Sequence, residues 1–215
     1  MELTFCFDFL SPYAYLAWTQ IHPLAARHGA TVRPAPVLFA ALLNHHGQKG
    51  PAEIPAKRAY VFKDVVRRAR LLDVPLAAPA SHPFQPLLAL RAVLAAPEGD
   101  RRALIDGLFA ATWGRAERRG IDDPATVAHV AQAAGLDGEA LVARTREPDI
   151  KDALRRATEE AVRAGVFGVP TVRVGGELFW GLDSFDLLER HLRGEGGVSD
   201  EALARFAAIP SGAER

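Results

Sequence analysis

The sequence predicts an α/β protein: a mixed β-sheet built from two halves, with a long all-helical stretch between them. Three observations predict it. Residues 1–38 read as strand, helix, strand. Residues 39–164 carry apolar side chains at helical spacing and few strand signals. Strand character returns after residue 165 as a strand, a Gly-Gly turn, a second strand and a closing helix.

Leu3 to Phe7 is short, apolar and aromatic, as strands are. Ser11 followed by Pro12 marks a helix start. The serine oxygen accepts from N–H groups that the first turn leaves without partners, and proline at the first helical position has no N–H to lose. Tyr15, Leu16 and Thr19 give this helix a buried side, and Gly29 stops it after about Arg27. Val32 to Leu38 contains Pro34 and Pro36. Proline cannot donate to a ladder, so this second strand belongs at an edge or a bulge. Together these form a βαβ unit.

The helical stretch shows its periodicity at Val61, Val65, Ala69 and Leu72, at Leu87, Leu90 and Leu94, and at Leu104, Leu108 and Ala111. Asp123-Pro124 and Pro148-Asp149 each open a further helix. Pro170 to Val174 is then a strand, Gly175-Gly176 a hairpin turn and Glu177 to Trp180 the return strand. Asp183 or Ser184 caps a last helix with Phe185, Leu188 and Leu192 on one face. Ser199 to Ala208 has the length and pattern of one more short helix, and Pro210 to Arg215 is expected to fray. The order βαβ, helical insertion, ββα is that of the thioredoxin fold. Residues 1–38 and 165–193 form a discontinuous thioredoxin-like domain in this reading, 39–164 a helical insertion domain, and 194–215 a tail.

The bulk numbers narrow the function. The 215 residues are 49% apolar, enough for a sizeable core. Lys and Arg together number 26, as do Asp and Glu, so the formal charge is zero and no nucleic-acid partner is expected. No apolar run approaches the ~18 residues of a membrane span. The chain enters a strand at once, without a basic leader or cleavage site, so a cytoplasmic location is expected. Cys6 is the single cysteine, which rules out an internal disulfide and cysteine-cluster metal sites. Cys6 sits in the first apolar run and reads as a small buried hydrophobe.

The chemistry is expected where the first strand feeds the first helix. A helix N-terminus offers free N–H donors and about half a unit of positive charge, a place to hold an anion such as a thiolate. In a thioredoxin-like fold this join carries Cys-x-x-Cys; here it carries Ser11-Pro12-Tyr13-Ala14, so thiol–disulfide exchange is not available to it. What remains is a hydroxyl in an electropositive pocket, suited to a thiolate belonging to another molecule, with glutathione the leading candidate. Phe167-Gly168-Val169-Pro170 is the second feature. A cis proline before the third strand would turn the Val169 N–H and C=O outward to pair with a peptide ligand; a trans proline opening the strand is the alternative.

Phe7 to Leu16, Phe167 to Thr171 and Trp180-Gly181-Leu182-Asp183 together resemble the 2-hydroxychromene-2-carboxylate isomerases, grouped with the kappa-class glutathione transferases in the DsbA-like thioredoxin superfamily. The likeness runs from residue 1 to about 193. The resemblance implies a cytoplasmic homodimer that uses glutathione as cofactor in the catabolism of aromatic compounds, acting on a small aromatic or unsaturated carboxylate. It implies Ser11 as the catalytic residue that hydrogen-bonds the glutathione sulfur. Val169, next to Pro170, would pair with the cysteinyl backbone, and Asp183 with the γ-glutamyl amine. Lys57 would lie in a loop closing over the ligand and Gln48 at the glycyl end. No metal is implied. The chain departs from the family pattern at Leu182, where Ser or Asn usually precedes the acid, at Ser184, where Arg is common, and at Gln48, where Asn is common. These positions touch the ends of glutathione and not its sulfur. A kappa-type transferase is the alternative within the same chemistry, and a non-catalytic thioredoxin-like binding module the alternative outside it.

Among other residues, His45-His46 are adjacent and so point about 100° apart on a helix; a solvated loop is expected. His82-Pro83 lies in a loop, either rimming the pocket or on ordinary surface. Arg67-Arg68-Ala69-Arg70 reads as the wet face of a helix, with a substrate-anion contact as the alternative. Trp113 and Trp180 are expected in the core.

Overall fold

The computed structural model describes residues 1–115 and 120–210. Strand β1 (Glu2–Phe7) leads through helix α1 (Pro12–Arg27) to β2 (Thr31–Pro36). The helices α2 (Phe39–His45), α3 (Pro55–Leu71), α4 (Leu87–Ala95), α5 (Arg101–Phe109), α6 (Pro124–Ala133), α7 (Gly138–Arg144) and α8 (Pro148–Arg163) follow. The chain then returns through β3 (Thr171–Val174), β4 (Glu177–Trp180), α9 (Phe185–Leu192) and α10 (Asp200–Ala207). The sheet order is β2-β1-β3-β4, with β1 parallel to β2 and antiparallel to β3. The fold is therefore the mixed-sheet, thioredoxin-like α/β fold that the sequence predicts.

Each edge has a local cause. β2 is an edge strand, as Pro34 and Pro36 require, with Phe5 opposite Pro34 and Phe7 opposite Pro36. The β3–β4 hairpin turns at Gly175 and Gly176, whose φ values of 57° and 90° are both left-handed, as a two-residue turn between twisted strands needs. Pro23 stands inside α1 at an exposed position, and the helix continues because Ile21, Leu24 and Ala25 around it are held in the core.

The two faces of β1 feed different clusters, following the period-2 alternation of a strand. Leu3, Phe5 and Phe7 join the main core with α1 and with residues of α3 to α7. Cys6 points the other way, to Val37, Leu42, Ala161, Val166 and Val169. Phe109 at the end of α5 is the meeting point of sheet and helices, with its ring 4.7 Å from Phe9 and 5.6 Å from Phe7. After Phe109 the helix widens into a π turn, Ala110–Gly114, which the sequence does not announce.

Some expectations are corrected. His45 and His46 close α2 and are not in a free loop: both are exposed, but the His46 ring nitrogen lies 3.3 Å from the Val166 carbonyl. Neither Asp183 nor Ser184 caps α9 through its side chain. A 3-10 turn, Leu182–Ser184, leads into that helix, and the Ser184 hydroxyl donates back to the Gly181 carbonyl at 2.8 Å. Trp180 is 54% exposed and not a core residue, because β4 is an edge strand; its ring leans on Phe167 at 5.0 Å. Trp113 is buried, as expected.

Candidate active site

The β1–α1 join is held from every side. Asp8 is fully buried; Oδ1 accepts the Leu10 N–H at 3.0 Å and Oδ2 the Phe39 N–H at 2.9 Å. The Ser11 N–H donates to the Asp8 carbonyl at 3.1 Å. The Trp113 indole N–H, carried by the π turn, donates to the Phe9 carbonyl at 2.8 Å. His82 Nε2 lies 3.0 Å from the Leu10 carbonyl, which makes Nε2 the protonated nitrogen of a neutral ring. Residues 8–11 are thus fixed by contacts from α2, from the His82 loop and from the π turn. Sequence reasoning left Asp8 without a role. The available signal was an acidic residue in an otherwise apolar run.

Ser11 is the N-cap of α1 with extended backbone (φ −90°, ψ 115°), and Pro12 occupies the first helical position. Its Oγ accepts the Ala14 N–H at 3.2 Å and donates to the Val169 carbonyl at 3.5 Å. The second bond is long, so the hydroxyl proton is easily redirected. The Val169-Pro170 bond is cis. The Val169 carbonyl thus faces the serine rather than open solvent, a correction to the outward-facing reading. The Pro170 carbonyl in turn accepts the Gly181 N–H at 2.9 Å, which brings the Leu182–Ser184 turn to the same end of the sheet.

Of the residues singled out from sequence, Ser11, Val169 and Pro170 stand together, and Leu182 and Asp183 are tied to them through Gly181. Gln48, in the loop after α2, and Lys57, in the first turn of α3, are both exposed. Among the described residues no side-chain hydrogen bond joins either of them to the Ser11 cluster. His82 rims the site: its ring meets Phe62 at 5.4 Å and Trp113 at 5.6 Å. Burial lowers its pKa, and the neighbouring Arg58 charge adds to this, so the ring is neutral near pH 7.

A second cluster flanks the helix mouth. The Tyr13 hydroxyl donates to Asp64 at 2.8 Å, and Arg68 Nε donates to the same Asp64 oxygen at 2.6 Å. Burial acts to raise the Asp64 carboxyl, but the hydrogen bonds from Arg68 and Tyr13 outweigh it and leave it below the usual carboxylate range. Within the run 67–70, Arg67 and Arg70 are on the wet face as expected, while Ala69 is buried and Arg68 is drawn in by Asp64. The i,i+4 spacing of Asp64 and Arg68 is visible in the sequence; the contact with Tyr13 is not.

Cys6 is wholly buried, and burial pushes its thiol up to about 11, so it stays protonated and unreactive at neutral pH. The protein's own sulfur takes no part in the join. A DSBA-like thioredoxin domain model matches residues 2–193. The chain belongs to the DSBA-like thioredoxin family. Within this family it belongs with the 2-hydroxychromene-2-carboxylate isomerases: the protein of that name from Sphingobium xenophagum is 32% identical over 194 residues, covering 88% of this chain and 97% of its own. The protein of the same name from Pseudomonas putida is 30% identical over 191 residues, covering 88% and 93%. Human glutathione S-transferase kappa 1 is 27% identical over 207 residues, covering 88% and 89%. A solved 2-hydroxychromene-2-carboxylate isomerase superposes with a TM-score of 0.82 at 28% identity, over 97% of this DSBA-like chain and 98% of the other.

Proposed function

We propose that this protein is a glutathione-dependent isomerase of the 2-hydroxychromene-2-carboxylate isomerase type, with the glutathione sulfur against Ser11. The observation that carries the reading is the Ser11 hydroxyl at the N-terminus of α1, its proton held only by a long bond to the Val169 carbonyl. Glutathione, when bound, supplies a thiolate that adds reversibly to a conjugated double bond of the ring-opened substrate and is returned unchanged.

The protein's part is to favour and hold that anion. A free thiol has a pKa near 8.5, so only a few per cent is ionised at neutral pH. Rotating its proton from Val169 toward the sulfur, Ser11 donates to the charged form and not to the neutral one, and the α1 dipole acts in the same direction. Val169 lends its backbone to the cysteinyl part, and Asp183 meets the γ-glutamyl amine. Lys57 and Gln48 lie on the exposed α2–α3 side, from which they reach the glycyl end. Phe62, His82 and Trp113 give the join an aromatic wall for a small aromatic or unsaturated carboxylate. The identities of 30–32% to isomerases, against 25–27% to kappa transferases, favour return of the thiol over release of a conjugate. A homodimer and a cytoplasmic location go with this reading, as does a helical insertion (39–164) that supplies the wall for the second substrate.

The test is Ser11→Ala, assayed by initial rates of glutathione-dependent isomerisation of 2-hydroxychromene-2-carboxylate. Turnover is expected to fall ~10–1000-fold, as it does when one donor to a reacting anion is lost. The cap itself costs about 1 kcal/mol of stability, read separately by thermal melting. A fully active variant overturns the assignment.

A further inference from the structure

We infer that Arg68, positioned by Asp64 and Tyr13, binds the α-carboxylate of the γ-glutamyl group, so that Arg68 and Asp183 together clamp a zwitterionic amino-acid head. This rests on the glutathione reading above and goes beyond it, because the residues carried by resemblance leave that carboxylate without a cation: position 184 is serine where relatives commonly have arginine.

The geometry is a cleft of about 320 Å³ between α1, α3 and the turn before α9. Gln20 and Leu24 form its floor, Arg68 stands on one wall, and Leu182 and Asp183 on the other. Arg68 and Asp183 are close enough for their charges to interact. An amino-acid head carries one ammonium and one carboxylate, and the walls offer one carboxylate and one guanidinium. The remaining cation of the cleft, Arg27, is already paired with Glu189 at 3.3 Å. Asp186, also on the cleft, is exposed on α9 and adds negative charge on the ammonium side.

Arg68 is built for the task. Asp64 engages only Nε, leaving four further N–H donors for a carboxylate. The Tyr13 hydroxyl fixes Asp64 from the other side, and its side chain is only 16% exposed. Tyr13 is two residues from Ser11, so one relay joins the sulfur end of the site to the head-group end. A planar guanidinium held at one edge loses little freedom when it closes on a carboxylate.

The experiment is calorimetric titration of wild type and Arg68→Ala with reduced glutathione, and with a glutathione analogue whose glutamyl α-carboxylate is a carboxamide. Arg68→Ala is expected to weaken glutathione binding ~10–100-fold, the range of one charge-assisted bond. Wild type should lose the same factor on the carboxamide, and Arg68→Ala should not distinguish the two ligands. Arg68→Lys should recover part of the loss. Equal glutathione affinity in wild type and Arg68→Ala overturns the clamp alone, and so does a variant that still prefers the carboxylate ligand by the wild-type factor. Failure of wild type to bind glutathione at all overturns the glutathione reading and the clamp with it.

Discussion

At the scale of single residues, the two most displaced titrations pull stability in opposite directions over nearly the same pH range. Burial raises Asp8 to about 6, despite two backbone N–H donors. Burial, with help from Arg102, lowers His22 to about 4. Asp8 binds its proton more readily folded than unfolded. Its effect favours the fold below about pH 4 and is lost as pH rises through 6, on the order of 3 kcal/mol in all. His22 is the reverse: its depressed pKa favours the fold above about 6.5 and that contribution is lost as pH falls through 4. Asp8→Asn removes one side of this balance. Measured by denaturant titration at several pH values, the stability of wild type relative to Asp8→Asn should decline between pH 4 and 6 and then level off. A pH-independent difference would mean that Asp8 ionises as it does in the unfolded chain.

At the scale of elements, caps and turns decide where the site's parts end. Ser11, Asp123 and Asp137 each cap a helix through the side chain, and each cap is a short polar residue that sequence reading can find or could have found. The β3–β4 hairpin matters more, because it aims the Leu182–Ser184 turn at Pro170. A Cβ at Gly176 would meet no atom within 4 Å, yet its φ is 90°. The cost of Gly176→Ala is therefore conformational and not steric against neighbours, about 1–2 kcal/mol. A drop in thermal midpoint without change in circular dichroism would show this. An unchanged midpoint would mean that the turn tolerates a side chain at this φ. The π turn Ala110–Gly114 has no comparable signal. Its register follows from what Trp113 and Gly114 must reach, the Phe9 carbonyl and the Tyr15 ring edge.

At the scale of the whole molecule, sheet and helices share one core, and Phe109 is where they meet. It is 1% exposed, and its ring neighbours come from β1, the β1–α1 join and α1: Phe7, Phe9, Tyr15 and Trp18. Phe109→Ala should cost about 3–5 kcal/mol in chemical denaturation, because no other side chain fills that junction. A loss below about 1 kcal/mol would show that the two parts pack independently of this ring. Among the described residues no helix is long and apolar enough to cross a membrane.

The sequence by itself determined the strands, the capped first helix, the Gly-Gly hairpin, the helical insertion and the place of the serine, because each is written in spacings of a few residues. Only the tertiary structure decided that Trp180 lies on an edge, that His82 rims the site, that Asp8 is sealed under it, and that Arg68 faces Asp183. Those facts join residues distant in the chain: Tyr13 and Asp64 are 51 apart, Ser11 and Val169 158 apart. Local periodicity says which face of an element is buried. Which elements then meet is fixed only when the shared core closes around Phe109, and that closure sets the charges and hydroxyls of the site at bonding distance.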